Sequence, residues 1–492
     1  MSKDFQEKFT DIFITGGTGF MGKVLIEKLL RSCGELNRIF LLIRSKRGKD
    51  CKERLEKLWT LPLFEPLRKS NPSVFNKVVP INGDVRENGL GISGEDLEII
   101  KNVAIIYHTA ATVRFDEPLQ EAIIMNTKGT HEVIKLAQRF SKLEVLVHIS
   151  TSYCYPNRHT VDEKLYPPYG DWRTTIKLAE KYDKETLNLF CLKYTKFQPN
   201  TYTYTKCLAE HCMNDYKDKL PIVIFRPSIV ISTAEDPFPG WIDNLNGPVG
   251  MFLACGLGVL RTVYGNADVT CDYMPVDVAI KALIICAYKH GIEWKTQSQE
   301  SKKELPIYNC SSSSTRPVTT RLITQVAQDS IWEYPLDKSI WTSSESVMTT
   351  SRIKHYFITL HILVAVFVDT ILRIFKKPLL KIQRKIYAAN LALHYFATTT
   401  WTFPNANFID LDTMVPETEL LFFLINKNLE FIEKNALFTV FYKDLNKQYT
   451  VLSEIIGPSF NFAYMVYSQA HNLLVRRRGM VTTGIYEIVV CP

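Results

Sequence analysis

Two residues four positions apart, Tyr202 and Lys206, have the types and spacing of a proton-donating pair. They lie in a stretch with helical periodicity, residues 202–216, so both side chains are predicted on one face of a helix. The lysine ammonium would lower the pKa of the phenol, and Tyr202 could then donate a proton to a substrate oxygen as hydride arrives. Thr151, or its neighbour Ser150, follows a predicted strand and could hydrogen-bond the same oxygen.

A glycine-rich turn near the start of the chain could hold the hydride donor. A short apolar strand, Asp11 to Ile14, is followed by Gly16, Gly19 and Gly22 and then by helical periodicity from Lys23 to Leu30. The glycines allow backbone to approach a pyrophosphate, and a helix N-terminus offers unpaired N–H groups. A lone YxxxK pair or a lone glycine triplet is a weak signal. Together and in this order they predict a dinucleotide-dependent reductase.

Arg44 indicates which dinucleotide the turn would hold. It follows a second apolar strand, Ile39 to Ile43, and Lys46 and Arg47 come just after it. An acid at this strand end favours a free ribose 2′-hydroxyl, whereas arginine accommodates a 2′-phosphate. The sequence therefore predicts NADPH as the cofactor. A solvated basic loop is the alternative interpretation of the same residues.

Further apolar segments alternate with helical ones, as a nucleotide-binding sheet requires. Predicted strands at Val78 to Ile81, Ala104 to His108 and Val145 to Ile149 each end in a loop of small or polar residues, and a helical stretch covers 126–140. Residues 237–250 are predicted to form a shaped loop. The fold predicted from this alternation is α/β, a Rossmann-type doubly wound parallel sheet, with a mostly helical C-terminal domain.

Length and composition set bounds on the class of protein. The chain has 492 residues, 46% of them hydrophobic, and a formal net charge of +8. This excess is too mild and dispersed to indicate nucleic acid, but it suits an anionic cofactor, an anionic substrate or a membrane surface. The polar start of the chain predicts no secretory signal, and the eleven cysteines show no metal-ligand spacing. We expect reduced thiols on the cytosolic side and no metal site.

The last third contains a segment that could meet a membrane. Residues 356–375 are largely apolar, but Asp369 and Arg373 interrupt them, so the uncharged run is shorter than the roughly 20 residues that span a bilayer. Basic residues follow at once, beginning with Lys376 and Lys377. An apolar helix with a basic flank suits a membrane-surface or re-entrant element. A buried core helix with a solvated basic face is the equally open alternative.

Several stretches resemble the eukaryotic fatty acyl-CoA reductases, which are extended short-chain dehydrogenases/reductases. The similar stretches are TGGTGFMGKVLIEKLLR, HTAATVRFDEPL, HISTSYC, NTYTYTKCLAE, FRPSIV, PGWIDNLNGPVG, CDYMPVDVA and TWTFPNANF. The glycine turn and the YxxxK pair belong to the whole superfamily. The loop PGWIDNLNGPVG and the C-terminal stretch TWTFPNANF single out this family. The resemblance covers essentially the whole chain.

The resemblance implies a role for individual positions. It implies catalytic roles for Thr151, Tyr202 and Lys206, with the lysine also holding the nicotinamide ribose. It implies cofactor contacts from Thr15, Gly16, Thr18, Gly19, Phe20, Gly22, Arg44 (near the ribose phosphate), Asp84 (near the adenine), Tyr202 and Lys206. Tyr204 departs from the phenylalanine common in related sequences, and its offset from Tyr202 leaves the catalytic roles unaffected.

The reaction implied by the resemblance is NADPH-dependent reduction of a long-chain fatty acyl-CoA to a primary fatty alcohol and free CoA, through an aldehyde. The implied domains are a reductase domain at 1–300, a connecting segment at 301–355, a helical, membrane-associated domain at 356–460 and a tail at 461–492. Membrane lipid is an expected partner and nucleic acid is not. The implied location is an endoplasmic reticulum or peroxisomal membrane, with the reductase domain facing the cytosol. Acyl chain length and unsaturation preference, and oligomeric state, are left open.

Other functions share parts of this pattern. The residues alone do not distinguish a reductase that stops at the aldehyde. A sugar-nucleotide epimerase or dehydratase would share the Rossmann half but not the apolar last third, and a membrane-bound hydroxysteroid dehydrogenase would share the YxxxK pair. A non-enzymatic NADP-sensing module would tolerate loss of Tyr202, which this chain has kept.

Overall fold

A computed structural model of the chain describes residues 11–46, 48–195, 198–244, 246–257, 260, 262–296, 304–315, 317–333, 347–351 and 380–414. The strands are β1 (Asp11–Thr15), β2 (Arg38–Ile43), β3 (Val78–Asn82), β4 (Ile105–His108), β5 (Val145–Ile149), β6 (Ile222–Pro227), β7 (Ile229–Ile231), β8 (Thr262–Tyr264), β9 (Thr270–Cys271), β10 (Tyr273–Pro275), β11 (Ile307–Cys310), β12 (Val318–Thr319) and β13 (Val347–Thr349). The α-helices are α1 (Phe20–Ser32), α2 (Cys51–Trp59), α3 (Glu65–Ser70), α4 (Gly94–Ile99), α5 (Leu119–Ala122), α6 (Gly129–Ala137), α7 (Trp172–Lys181), α8 (Lys184–Thr195), α9 (Thr201–Asn214), α10 (Pro248–Gly256), α11 (Val276–Thr296), α12 (Thr320–Glu333), α13 (Leu380–Thr398) and α14 (Ala406–Asp410).

Seven strands form one parallel sheet in the order β11-β6-β5-β4-β1-β2-β3. Strands β1 and β5 are buried along their whole length, as expected where helices cover both faces of a parallel sheet. The strand order reverses between β1 and β4, so the carboxyl ends of these two strands open a crevice. The predicted α/β fold with a Rossmann-type doubly wound parallel sheet is confirmed.

Two predicted helices begin differently from their sequence pattern. Helix α1 starts at Phe20 rather than Lys23, because the glycine turn passes directly into its first turn. The predicted helix over 126–140 is a π-helix at Ile123–Lys128 that continues as α6 and ends at Ala137. The loop predicted at 237–250 gives way to α10 at Pro248, a residue that suits the first turn of a helix.

The described residues fall into two compact units. One contains 11–244, 268–326 and 399–414 and carries the seven-stranded sheet. The other contains the described parts of 245–267 and 327–398. In this second unit the ring of His394 in α13 stacks on Tyr264 at 3.7 Å between centroids. The Asn390 side chain accepts the Tyr264 N–H and donates to the Thr262 carbonyl.

The stretch TWTFPNANF lies within the unit that carries the sheet. The Glu163 carboxylate accepts backbone N–H groups from Asn309 in β11 and from Asn407 and Phe408. The Asn405 side chain donates to the Ser311 carbonyl just beyond β11. These bonds attach residues 399–414 to the edge of the sheet. The domain limits at 300, 355 and 460 stay predictions.

The possible membrane segment lies outside the described residues. Residues 356–375 and the first two residues of the basic flank, Lys376 and Lys377, belong to the part of the chain that the structure does not describe. The remaining basic residues of the flank, Lys381, Arg384 and Lys385, fall within α13. Among the helices that it does describe, none is long and apolar enough to cross a bilayer. Membrane attachment stays a prediction.

Candidate active site

The predicted glycine turn lies at the carboxyl end of β1, beside the loop that follows β4. Gly16 has a φ of +74°, which favours glycine, and a Cβ there would lie 2.5 Å from the Ala110 nitrogen. A Cβ at Gly22 would lie 2.5 Å from the Gly16 carbonyl oxygen. Gly19, by contrast, is exposed and has looser surroundings. The turn is therefore tight at Gly16 and Gly22 and open to a ligand at Gly19.

The residues of this turn fit a dinucleotide pyrophosphate. No side chain caps helix α1, whose N-cap residue is Gly19, so the N–H groups of its first turn have no intrahelical acceptor. Thr15 lies below the turn, where its hydroxyl hydrogen-bonds the His108 ring at 2.8 Å. Thr18 is half-buried beside the turn. An uncapped helix start behind a close-packed glycine turn is a site for an anion.

Phe20 is a predicted cofactor contact. It packs on the first part of PGWIDNLNGPVG, the loop that singles out the resembled family. Its ring stacks on Trp241 at 5.5 Å between centroids, with 19° between the ring planes. One turn further along α1, Lys23 forms an ion pair with Asp243 of the same loop. The loop residues 237–244 are thus joined to the first two turns of α1.

Arg44 and Asp84, predicted at the adenosine end, are brought together by the ends of β2 and β3. The Arg44 guanidinium lies 3.6 Å from the Asp84 carboxylate. Arg86, which the sequence reasoning missed, donates from Nε and Nη2 to the same carboxylate at 3.0 and 2.6 Å. Burial alone would raise the pKa of Asp84, but the hydrogen bonds and charge of Arg86, with the charge of Arg44, hold it below its usual range. Two cations therefore converge on one carboxylate at the ends of β2 and β3.

Tyr202 and Thr151, on α9 and at the end of β5, meet through their side chains. The Thr151 hydroxyl lies close enough to the Tyr202 phenol to lower its pKa. Burial raises the pKa of Tyr202 to about 12, with the Thr151 hydroxyl opposing the rise. The expected lowering of this pKa by Lys206 is therefore wrong in this structure, because burial is the largest effect on the phenol. The phenol is therefore protonated at neutral pH and able to donate. The ring of Phe115 stacks on Tyr202 at 6.2 Å between centroids, a contact that no periodic signal in the sequence revealed.

Lys206 lies one turn after Tyr202 on the same helix face and is buried. Its ammonium donates to the Ile149 carbonyl at 2.5 Å. Burial lowers the pKa of Lys206 to about 8, and the negative charge of Glu210 opposes this. The amine is therefore close to losing its charge slightly above neutral pH.

Tyr204 lies on another face of α9, as the helical spacing predicts. Its side chain is 1% exposed and lies beside Thr175. Its ring meets Tyr194 edge-on at 6.0 Å between centroids. Tyr204 packs between helices and does not share the face of Lys206.

Asn126 is a further buried polar residue that the sequence reasoning missed. In the π-helix it accepts the Thr112 N–H at 2.8 Å and donates to the Thr112 carbonyl and to the Thr205 hydroxyl. These bonds tie the loop after β4 to α9. The side chain therefore fixes α9, and with it Tyr202 and Lys206, against the crevice.

The fold and site define an oxidoreductase of the extended short-chain dehydrogenase/reductase class. An NAD-binding family model described as male sterility protein matches residues 14–283, and a Sterile model with the same description matches residues 360–433. The chain is 35% identical to fatty acyl-CoA reductase 1 of Homo sapiens over 456 residues, which are 91% of this chain and 86% of that protein. It is 40% identical to fatty acyl-CoA reductase wat of Drosophila melanogaster over 400 residues, 80% of this chain and 76% of that protein. The chain belongs to the fatty acyl-CoA reductase family.

Solved structures agree on the fold. The terminal R domain of the myxalamid PKS-NRPS pathway matches with a TM-score of 0.57 at 18% identity, covering 90% of this chain and 91% of that one. A thiolation-reductase di-domain from an archaeal non-ribosomal peptide synthetase matches with a TM-score of 0.50 at 17% identity, covering 89% and 75%. With the NAD-binding family model, the fold establishes an oxidoreductase that uses a nicotinamide cofactor.

Proposed function

We propose that the protein reduces long-chain fatty acyl-CoA with NADPH to a primary fatty alcohol and free CoA, through an aldehyde. The observation that carries the proposal is that the Tyr202 and Thr151 side chains come together at the carboxyl end of β5, with buried Lys206 on the same helix face as Tyr202. The relatives named fatty acyl-CoA reductase, which match over most of the chain, support the substrate class.

The choice of NADPH is supported by the charge at the ends of β2 and β3. Arg44 and Arg86 both approach Asp84, and both guanidinium groups are more than a third exposed. An arginine after β2 accommodates a 2′-phosphate, whereas an acid there would favour a free 2′-hydroxyl. Asp84 would hold the two cations in place while their remaining donors face a phosphate.

The protein groups of the site would stabilise and protonate a substrate oxygen. When bound between the glycine turn and Lys206, the reduced nicotinamide supplies the hydride for each reduction. As the thioester carbon becomes tetrahedral, the Tyr202 and Thr151 hydroxyls would donate hydrogen bonds to its oxyanion. Collapse of that intermediate breaks the carbon–sulfur bond, and CoA leaves as the thiol once it is protonated.

The aldehyde would use the same oxygen site in the second reduction. Tyr202 transfers its proton to the alkoxide, and the Lys206 ammonium stabilises the tyrosinate that is left. The donor must be protonated before the step, and a pKa of about 12 for Tyr202 meets this requirement. One arrangement of hydroxyls and ammonium therefore suffices for both reductions.

Membrane attachment and location complete the proposal. Membrane lipid would be a partner through the apolar segment 356–375 and its basic flank. The attached membrane would be that of the endoplasmic reticulum or peroxisome, with the reductase unit facing the cytosol.

Purified protein incubated with NADPH and a series of acyl-CoAs tests the proposal. Cofactor consumption is followed by absorbance, free thiol by a colorimetric reagent and lipid products by mass spectrometry. We expect two NADPH oxidised for each thiol released, with fatty alcohol as the product. A ratio of one with aldehyde as the product would indicate a reductase that stops at the first step. No thiol release from any acyl-CoA would refute the proposal.

A further inference from the structure

Glu210 and Arg226 form an ion pair that is buried completely beneath the candidate site. Both side chains have 0% exposure. The Arg226 Nε and Nη2 atoms donate to the two Glu210 carboxylate oxygens at 2.8 and 2.7 Å. The remaining Arg226 donors reach the Asp162 and Lys164 carbonyls at 3.0 and 3.1 Å. The pair is bidentate and has no access to solvent.

The position of the pair connects it to the catalytic face of α9. Tyr202, Lys206 and Glu210 follow one another at four-residue intervals, so the three side chains share one stripe of the helix. Arg226 belongs to β6, the neighbour of β5 in the sheet. The Ser152 hydroxyl, one residue beyond Thr151, donates to the Arg226 carbonyl. The ion pair therefore ties the helix that carries Lys206 to the strand ends that carry Thr151.

Stability is a poor explanation for burying such a pair. Removing two charges from water costs about as much as their attraction returns, and apolar replacements of similar volume are often neutral or stabilising. A role that requires the charge of Glu210 is therefore the better explanation. The nearest group on the same helix stripe that would respond to that charge is the Lys206 ammonium.

We propose that Glu210, held in place by Arg226, is a positioning residue that keeps Lys206 charged and directed at the candidate site. The proposal rests on the catalytic and ribose-binding role proposed for Lys206. Glu210 does not touch Tyr202 or the reacting atoms in this arrangement. Its proposed effect on the reaction is exerted through Lys206.

The other titratable groups around Lys206 are neutral near pH 7, so Glu210 supplies the compensating charge. Among the described residues, those whose charges act on Lys206 or respond to it are Glu210, Cys154, His108 and His148. Burial lowers the pKa of His108 to about 3 and that of His148 well below its usual range. Burial raises the pKa of the Cys154 thiol. Arg226 outweighs burial at Glu210 and lowers its pKa, so this carboxylate stays ionised.

Glu210→Gln tests the proposal because it removes the charge and keeps the shape. Lys206 must be protonated to act, so activity should fall as pH rises through its pKa, about 8 in the native protein. Without Glu210 that pKa falls further, and the alkaline limb of kcat/KM should move down by about one pH unit or more. At pH 8 this corresponds to roughly a fivefold or larger loss relative to the native protein.

Two further variants separate this role from a structural one. Glu27→Gln is the matched control: Glu27 is also a buried glutamate paired with an arginine, Arg31, but it lies on α1. Its alkaline limb should stay where the native one is. The double variant Glu210→Gln/Arg226→Met removes both buried charges, so its thermal stability should exceed that of Glu210→Gln alone. Its alkaline limb should still be displaced. A limb that returns to the native position in the double variant, or that never moves in Glu210→Gln, would overturn the proposal.

A binding measurement distinguishes failure of this proposal from failure of the proposed reaction. The pH dependence of NADPH and NADH binding, followed by energy transfer from tryptophan, needs no acyl substrate. We expect the affinity for both cofactors to fall as the pH rises into the alkaline range. In Glu210→Gln this fall should begin at a lower pH than in the native protein. That shift in a protein without acyl-CoA activity would uphold the role of Glu210 and refute the reaction. Normal acyl-CoA reduction, with pH profiles of binding and of turnover that are the same in Glu210→Gln as in the native protein, would refute the role of Glu210 and uphold the reaction.

Discussion

Replacing Tyr202 by phenylalanine is the sharpest test of the catalytic assignment. The change removes one hydroxyl, which lies near Thr151 and is protonated at neutral pH. General acid catalysis contributes roughly 10²- to 10⁴-fold, and one oxyanion donor contributes roughly 10²- to 10³-fold. Because one hydroxyl supplies both effects, we expect alcohol formation to fall by at least about 10³-fold. Cofactor affinity should stay within a few-fold, because Lys206 and the glycine turn are unchanged.

Tyr204→Phe is the matched control, since it removes the same hydroxyl from the same helix. The Tyr204 hydroxyl is buried beside Thr175 and lies away from Lys206. Its loss should therefore cost about 1 kcal/mol of unfolding free energy and leave turnover near the native value. Both variants are compared by alcohol formation, cofactor titration and thermal unfolding. A Tyr202→Phe variant with native turnover, or an inactive Tyr204→Phe variant that folds normally, would show that the assignment to α9 is wrong.

The glycine turn, the end of β2 and the segment 356–375 give three further predictions. Gly22→Ala would place a Cβ 2.5 Å from the Gly16 carbonyl oxygen and should weaken cofactor binding, measured by titration, about tenfold or more. The control Gly94→Ala, with nothing within 4 Å of its Cβ, should leave cofactor binding unchanged. Equal cofactor affinities in the two variants would contradict this prediction. Arg44→Gln should weaken NADPH binding about tenfold and leave NADH binding nearly unchanged, and an equal loss with both would make Arg44 a surface charge only. The full chain should sediment with membranes. Release by high salt alone would favour a surface helix held by charge. Recovery of the protein in solution without salt or detergent would refute membrane attachment.

The parts of the fold that follow from local pattern could be predicted from the sequence. The strand at Asp11, the glycines after it and the helix behind them form one continuous signal, and the structure places them at the reversal of strand order. The start of the next predicted helix could not be placed in the same way. That helix begins as a π-helix, in which the Asn126 side chain hydrogen-bonds Thr112 and Thr205 from other segments of the chain. Hydrophobic periodicity does not reveal side-chain hydrogen bonds between separate segments of the chain.

The candidate site also has residues that local sequence pattern predicts and contacts that it does not. Tyr202 and Lys206 were predictable because a four-residue spacing on one helix places both on the same face. Glu210 continues that spacing and could have been found by extending it one turn. Arg226 also left a signal, a charged residue at the end of an apolar strand. The sequence does not predict that Glu210 and Arg226 meet as a buried ion pair, because this depends on how α9 packs against β6 in the folded protein.

The edge of the sheet explains why the family resemblance continues beyond the Rossmann core. Strand β11 is the last in the sheet order, and residues 399–414 attach there through Glu163 and the side chains of Asn405 and Asn407. An edge strand with unpaired backbone groups invites pairing with other chains, so covering it protects the unit that holds the catalytic residues. Phe403 and Phe408 are fully buried in the same contact, so these residues also contribute apolar packing. The stretch TWTFPNANF is therefore structurally part of the reductase unit, although some ninety residues separate it from β11 in the sequence.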